Sequence, residues 1–153
     1  EPGILGGTDR VAEPGTWAEG PWEVDFSDCP DLAMPLIVAA ALGGRSGFAR
    51  GLGTLNAKES HRLDATAELL GLLGAAVTAG PDWLRWQAPL SLLQGPLELD
   101  SLDDHRMAFC AALIGLRVPV VLGGADAVSK SFPDFWTQFR VFQGMISFGP
   151  NGI

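Results

Sequence analysis

An internal repeat is the sequence feature that most constrains the fold of this chain. Residue types found from position 31 onward recur 73 positions later, from position 104 onward. Three pairs share that offset and a pair of lysines misses it by one residue: Asp31 and Asp104, Met34 and Met107, Gly51 and Gly124, Lys58 and Lys130. Single identities are weak in a chain rich in Gly and Ala. The predicted elements, however, repeat in the same order: strand, acidic cap, helix, strand, glycine-rich turn, lysine, helix. This agreement favours a true repeat of one supersecondary unit.

Hydrophobic periodicity and turn residues predict alternating strands and helices over residues 22–94. The predicted elements are strands Trp22–Phe26 and Phe48–Leu55, helices Leu32–Leu42 and Ser60–Leu73, and a hairpin of Ala76–Thr78 and Trp83–Gln87. Asp28 and Asp31 are two candidates for one helix cap. Pro35 fits the first helix only within its first turn. Residues 22–94 are therefore predicted to form one βαβαββ unit.

The same elements are predicted again, less completely, over residues 95–140. They are strands Leu97–Leu99 and Val118–Leu122, a helix Met107–Leu116, and a last helix that opens at Pro133. We interpret residues 1–21 as a loop or the remnant of a preceding unit, because they lack any periodicity. Residues 141–153 form a tail that we leave unassigned. The fold class predicted from these patterns is α/β (α+β).

Charge and composition exclude several classes of function. The formal net charge is -8 and the isoelectric point is near 4.5, which disfavours nucleic acid and anionic membranes as partners. The longest apolar run, Leu36–Leu42, is too short to span a bilayer, and no leader segment opens the chain. Two cysteines and two histidines cannot supply a disulfide framework, and they make a zinc site improbable. We expect a soluble, cytoplasmic protein without a metal or cofactor.

A cluster of polar residues, Asp103 to Arg106, directly precedes the apolar run of a predicted helix. The simplest interpretation is a helix cap with its solvated flank, because Asp is preferred at helix N-termini. The alternative is an anion site at the start of a helix. Free backbone N–H groups there attract negative charge, and an arginine adds a planar fork that matches carboxylate or phosphate oxygens.

The two lysines of the chain, Lys58 and Lys130, are both predicted at helix starts. A lysine there opposes the helix dipole at a cost of roughly 0.3 kcal/mol or more, unless an anion shares the site. Arg62 follows Lys58 by four residues, so the two are expected on one helix face beside Glu59. A plain surface pair of Glu59 with Arg62 is an equally simple interpretation. His61 is expected to be a solvated helix residue.

Four blocks of sequence, in this order and at these distances, resemble one known family. They are "SDCPDLAMP", "LNAKESHRL", "LDDHRMAFCAAL" and "VSKSFPDF". The family is 5-enolpyruvylshikimate-3-phosphate synthase, and the resemblance covers its C-terminal half, over residues 22–139. It implies an inside-out α/β barrel lobe built from βαβαββ units, with about two of three units present. It also implies that the N-terminal lobe, which completes the substrate cleft, is missing.

The resemblance assigns roles to seven residues. Asp31 and Glu59 match the family's catalytic acids, which exchange protons with the attacking hydroxyl and the enolpyruvyl methylene. The substrate-binding residues that it implies are Lys58, Arg62, His105, Arg106 and Lys130. Three positions depart from the family, because an acidic residue usually stands at His61, an arginine at Asn56 and a small polar residue at Pro35.

The predicted function is therefore part of an enolpyruvyl transferase of aromatic amino-acid biosynthesis. Such an enzyme moves the carboxyvinyl group of phosphoenolpyruvate to the 5-hydroxyl of shikimate 3-phosphate and releases phosphate. We expect the isolated chain to be inactive, because the ligands of the second lobe are missing. Two alternatives stay open: a non-catalytic anion-binding or scaffold module of the same fold, and an enolpyruvyl transferase that acts on a UDP-sugar.

Overall fold

The protein was analysed as a computed structural model that describes residues 20–88 and 96–145. The chain divides into two compact units between Ser91 and Leu92, and each unit is described by itself. The interpretations of residues 1–19 and 146–153 fall outside the described residues. Both units mix helices with strands, which confirms the predicted α/β class. Within the described ranges, no helix is long and apolar enough to cross a bilayer.

The described residues of the first unit, 20–88, form four strands and two α-helices. They are β1 (Trp22–Asp25), α1 (Ala33–Leu42), β2 (Gly47–Arg50), α2 (Arg62–Leu72), β3 (Ala76–Ala79) and β4 (Trp83–Gln87). The sheet order is β1-β2-β4-β3, in which β1 is parallel to β2 and β4 is antiparallel to both β2 and β3. Short 3₁₀ helices at Pro30–Leu32 and Leu55–Ala57 precede α1 and α2.

One face of this sheet forms the core of the unit with α1 and α2. Leu84 and Trp86, two residues apart on β4, are fully buried and share a cluster with Ile37, Leu63 and Leu70. Each such side chain contributes about 1.5–3 kcal/mol by its burial. The indole N–H of Trp86 donates a hydrogen bond to the carbonyl of Arg45 at 2.7 Å, so burial leaves no polar cost there.

The second unit, described over residues 96–145, repeats the first four of these six elements. Its elements are β5 (Leu97–Asp100), α3 (His105–Ile114), β6 (Val120–Gly123), a 3₁₀ helix Ala125–Lys130, and α4 (Phe135–Met145). β5 is parallel to β6, as β1 is to β2. Strands β2 and β6 begin 73 residues apart, and so do helices α2 and α4. The repeated order of elements is thus confirmed.

The turn after β2 and after β6 depends on a glycine in both units. Gly51 has φ +73° and Gly124 has φ +65°, which only glycine adopts without strain. A Cβ at Gly51 would collide with the backbone nitrogen of Ser27, and one at Gly124 with the hydroxyl of Ser101. These matching turns explain why the two glycines belong to the sequence repeat.

Several predicted boundaries were wrong. β2 ends at Arg50, not at Leu55, because Gly51 turns the chain out of the strand. The last helix begins at Phe135, two residues after Pro133, and it continues to Met145. Pro35 is the third residue of α1, in its first turn as required. The expected cap of α1 is absent, since neither Asp28 nor Asp31 stands at its N-cap position and no side chain there accepts a hydrogen bond.

The prediction that both lysines open helices was also wrong. Lys58 follows the 3₁₀ helix Leu55–Ala57 in extended backbone, with φ -94° and ψ -163°, while α2 begins at Arg62. Lys58 and Arg62 therefore do not share a helix face. Lys130 is the last residue of a 3₁₀ helix and precedes α4 by five positions. The argument from the helix dipole applies to neither lysine.

Candidate functional site

A buried arginine at the start of α2 organises the polar group of the first unit. The side chain of Arg62 is 3% exposed, and its Nη1 donates to Asp31 Oδ1 at 3.0 Å. Its Nη2 donates to Glu59 Oε2 at 2.7 Å. One guanidinium thus holds two half-exposed carboxylates that come from different elements. Charge-assisted bonds of this kind fix orientation as well as contributing energy.

Lys58 completes the group from the other side of Asp31. Its Nζ lies 3.4 Å from Asp31 Oδ1, and one third of its side chain is exposed. The two cations and two carboxylates balance, so the formal charge of the group is zero. Solvent reaches the carboxylates and the ammonium, whereas the guanidinium is enclosed. Such a group can pass protons through its carboxylates and offer an accessible ammonium to an anion.

Asn56 anchors this group to the helix, a role that sequence reasoning missed. Its Oδ1 accepts hydrogen bonds from the backbone N–H of Leu63 at 2.9 Å and of Asp64 at 3.4 Å. Its Nδ2 donates to Asp64 Oδ1 at 3.1 Å. His61 stands at the N-cap position but makes no side-chain cap bond, and it is exposed beside Asp64. Asn56 therefore caps α2 in place of the residue that adjoins it.

The polar cluster before α3 is a helix cap, as its simplest interpretation predicted. Asp104 is fully buried, and its Oδ1 accepts a hydrogen bond from the backbone N–H of Arg106 at 2.9 Å. Leu102 and Asp103 precede it in the left-handed region, with φ 54° and φ 56°. Two such residues in succession store strain of roughly 1–2 kcal/mol each. The strained turn directs the Asp103 carboxylate toward Lys130.

Lys130 is tied to that turn. Its Nζ donates to Asp103 Oδ2 at 2.5 Å and to the carbonyl oxygen of Asp103 at 3.2 Å. Both side chains are largely exposed, so solvent screens the pair and its worth to stability is small. The contact matters for position, because it brings the lysine to the N-terminal end of α3. No sequence pattern indicates this pairing.

Arg106 and His105 occupy the first turn of α3. The Nε of Arg106 is buried and has no hydrogen-bond partner in the described part of the chain. His105 contacts the Phe109 ring edge-on, with 5.8 Å between ring centroids. A cationic side chain whose donor has no partner in the described part of the chain, at the N-terminus of a helix, is suited to an anionic ligand. The polar cluster is therefore a helix cap, and it also retains the features expected of an anion site at a helix start.

The seven predicted site residues form two groups. Asp31, Lys58, Glu59 and Arg62 lie together in the first unit. In the second unit, His105, Arg106 and Lys130 lie at the start of α3. Asn56 and Asp103 join these groups as supporting residues. Their types, an amide and a carboxylate near helix starts, are the only sequence signals that could have indicated them.

Comparison with known proteins identifies a relationship over most of the chain. A sequence model of the family described as EPSP synthase (3-phosphoshikimate 1-carboxyvinyltransferase) matches residues 7–139. The 3-phosphoshikimate 1-carboxyvinyltransferase of Nitrosomonas europaea is 39% identical over 119 residues, which are 76% of this chain and 27% of the relative. That of Burkholderia vietnamiensis is 38% identical over 78% of this chain and 27% of the relative. The chain thus spans about a quarter of the curated relatives that it matches.

Solved structures resemble the chain over a similar extent. EPSP synthase from Acinetobacter baumannii superposes with a TM-score of 0.59 and 28% identity, over 76% of this chain and 28% of that one. The enolpyruvyl transferase NikO from Streptomyces tendae gives a TM-score of 0.57 at 21% identity, over 81% of this chain and 28% of that one. The second likeness concerns the fold alone.

Proposed function

Because this chain belongs to the EPSP synthase family, we propose that it forms part of an enzyme that acts on phosphoenolpyruvate and shikimate 3-phosphate. The enzyme moves the carboxyvinyl group of phosphoenolpyruvate to the 5-hydroxyl of shikimate 3-phosphate and releases phosphate. The relatives that carry this name support the reaction, as does the match over residues 7–139. The cytoplasmic location expected from the sequence is part of the same proposal.

One observation carries the assignment of the acids, namely that Arg62 holds Asp31 and Glu59 with separate nitrogens of one buried guanidinium. Because separate nitrogens of one guanidinium hold the two carboxylates, each carboxylate has its own fixed orientation. The two can therefore exchange protons with different atoms of the reacting substrates. Asp31 accepts the proton of the 5-hydroxyl of shikimate 3-phosphate while the oxygen of that hydroxyl bonds to the central carbon of phosphoenolpyruvate. Glu59 gives a proton to the methylene and recovers one when phosphate leaves.

The remaining cations bind the anionic groups of phosphoenolpyruvate in this proposal. Arg62 acts from the first unit, and Arg106 and Lys130 act with His105 from the start of α3, while Lys58 lies beside the shikimate substrate. The unsatisfied Nε of Arg106 and the helix N-terminus support this role. The two units are proposed to belong to one inside-out α/β lobe, and the missing lobe is proposed to supply most contacts to shikimate 3-phosphate.

Turnover with a complementary protein tests the proposal. We expect the isolated chain to release no phosphate from the two substrates, because half of a cleft cannot position them. Addition of the Nitrosomonas europaea relative, made without its matched 27%, is expected to restore phosphate release. Asp31→Asn in this chain should abolish that release, while Asp28→Asn, on an exposed neighbour, should not. Equal rates for the two variants would refute the role of Asp31.

Calorimetry separates the enzyme from a scaffold of the same fold. Phosphoenolpyruvate is titrated into the complemented protein that carries Arg106→Ala, with Arg117→Ala as the control because Arg117 is exposed and outside the group. The proposal expects binding about tenfold weaker or more for Arg106→Ala alone, since each charged hydrogen bond is worth roughly 1.5–3 kcal/mol. Identical heats of phosphoenolpyruvate binding for both variants would contradict the role of Arg106 and favour a non-catalytic scaffold.

A further inference from the structure

The ammonium of Lys130, which the proposed function assigns to an anionic group of phosphoenolpyruvate, is already occupied by the protein itself. Its Nζ donates to Asp103 Oδ2 at 2.5 Å and to the carbonyl oxygen of Asp103 at 3.2 Å. An ammonium has three N–H donors, so a single donor is left for a ligand. The carboxylate also places a negative charge where an anion would bind, and like charges repel. Binding of an anion to Lys130 therefore competes with Asp103.

The Asp103 carboxylate is held only by this exposed contact. Its side chain is 81% exposed and that of Lys130 is 52% exposed, so solvent screens their attraction. Within residues 20–88 and 96–145, no other ion pair or hydrogen bond involves the Asp103 side chain. An exposed pair of this kind is weak. A multiply charged ligand can therefore displace the carboxylate.

The main chain of the turn before α3 is held by contacts that do not use this carboxylate. Asp100 Oδ1 accepts a hydrogen bond from the backbone N–H of Leu102 at 2.7 Å, and the Ser101 hydroxyl donates to the Gly124 carbonyl at 2.8 Å. These bonds support the left-handed conformation of Leu102 and of the residue that follows it. The Asp103 carboxylate can therefore turn away while its main-chain carbonyl stays bonded to the ammonium.

The internal repeat places a comparable pair in the first unit, where the carboxylate is fixed. Asp31 lies 3.4 Å from Lys58 Nζ and also accepts a hydrogen bond from the buried guanidinium of Arg62 at 3.0 Å. Asp104, the repeat partner of Asp31, is buried as the cap of α3, and its neighbour Asp103 lies beside the lysine instead. The described residues give Asp103 no second cation. The first pair is therefore rigid, whereas the second can be separated.

We propose that the Asp103 carboxylate is a built-in competitor of the substrate: it occupies Lys130 in the free protein and yields the ammonium to an anionic group of phosphoenolpyruvate. This inference rests on the proposed function. Asp103 is then a positioning residue with two opposed effects, because its carbonyl keeps the ammonium at the start of α3 while its carboxylate lowers the affinity for the substrate. The chemical steps are unaffected, since the carboxylate has left the ammonium once the substrate is bound.

Asp103→Asn tests the competition, because it removes the charge while asparagine still adopts the left-handed region. In the protein complemented with the Nitrosomonas europaea relative without its matched 27%, Kd and KM for phosphoenolpyruvate should fall about threefold at unchanged kcat. Asp126→Asn is the matched control: Asp126 is exposed on the 3₁₀ helix that ends at Lys130, and its loss removes the same charge. The control should leave KM unchanged. Weaker or unchanged binding of phosphoenolpyruvate by Asp103→Asn overturns the proposal.

The two lysines of the chain allow a second test that does not depend on turnover. Selective ¹⁵N labelling of lysine gives one ammonium NMR signal each for Lys58 and Lys130. In the chain alone, Asp103→Asn should move only the Lys130 signal. In the complemented protein saturated with phosphoenolpyruvate, the Lys130 signals of wild type and Asp103→Asn should coincide, because the carboxylate has left.

Two outcomes of the NMR experiment overturn the competitor alone. They are an unmoved Lys130 signal in the isolated variant, and a difference between the two proteins that persists at saturation. Failure of the complemented wild type to bind phosphoenolpyruvate would instead refute the proposed function, and the competitor with it.

Discussion

The amide oxygen of Asn56 accepts a hydrogen bond from the backbone N–H of Leu63 at 2.9 Å, across seven residues of chain. This contact joins the 3₁₀ helix that precedes Lys58 to the first turn of α2, where Arg62 begins the helix. The hydrogen bond therefore connects the residues on either side of the loop that carries Lys58 and Glu59. The geometry of this loop depends on one side chain that sequence patterns assign to no role.

Asn56→Ala is expected to destabilise the first unit by about 1 kcal/mol, the usual cost of losing a helix N-cap. Asn56→Asp keeps the accepting oxygen and should retain most of the stability. Urea unfolding, followed by tryptophan fluorescence to which buried Trp86 contributes, measures both. Thr54→Ala is the control, because Thr54 makes no side-chain cap bond. Equal losses for Thr54→Ala and Asn56→Ala would contradict the cap.

Lysine is not expected to replace Arg62, because one ammonium cannot reproduce the two guanidinium hydrogen bonds to Asp31 and Glu59 in Arg62→Lys. We expect a loss of roughly 1–3 kcal/mol in the free energy of unfolding, from a buried site whose hydrogen bonds are broken. The same urea experiment detects it. Arg85→Lys, at an exposed arginine over the Phe48 ring, is the matched control and should change stability far less. An unchanged free energy of unfolding for Arg62→Lys would show that the ion pairs of Arg62 with Asp31 and Glu59 do not contribute to stability.

The pKa of Asp25 is held below its ordinary value of 3.8, first by the Ser27 hydroxyl and backbone N–H and then by the charge of Arg50. Because the folded pKa is the lower one, this carboxylate stabilises the fold above about pH 4 and loses that effect as the pH falls through its folded pKa. Ser27→Ala should raise the pKa more than Arg50→Gln does. Carboxyl titration by NMR measures both shifts, and the reverse order would contradict these causes.

Burial, and next the charge of Asp104, raises the pKa of the Cys110 thiol to about 12. The folded pKa exceeds the unfolded value of 9.0, so the neutral thiol's contribution to stability is complete below pH 9 and declines as the pH rises toward 12. At pH 8, iodoacetamide should label half-buried Cys29 at least about tenfold faster than Cys110. Mass spectrometry measures both rates, and labelling in urea provides the unfolded reference. Equal rates in the folded chain would place Cys110 near solvent.

The sequence determined the order of elements, because that order depends on local periodicity and turn residues. The 73-residue repeat, the glycine turns at Gly51 and Gly124, and the cap at Asp104 were all readable before any coordinates. The residue types of the site were readable too, from their resemblance to one family. Boundaries such as the end of β2 were less certain, since a single positive φ at Gly51 decides them.

Only the tertiary structure decided which of these residues touch. One partner of Arg62 is Asp31, thirty-one residues away on another element, and no spacing rule relates the two. Lys58 lost its expected place on a helix because the loop before α2 is held by Asn56 rather than continued as helix. Periodicity reports which face of an element is buried. Contacts between elements depend instead on how packing sets their distance and on where the intervening loops can form hydrogen bonds.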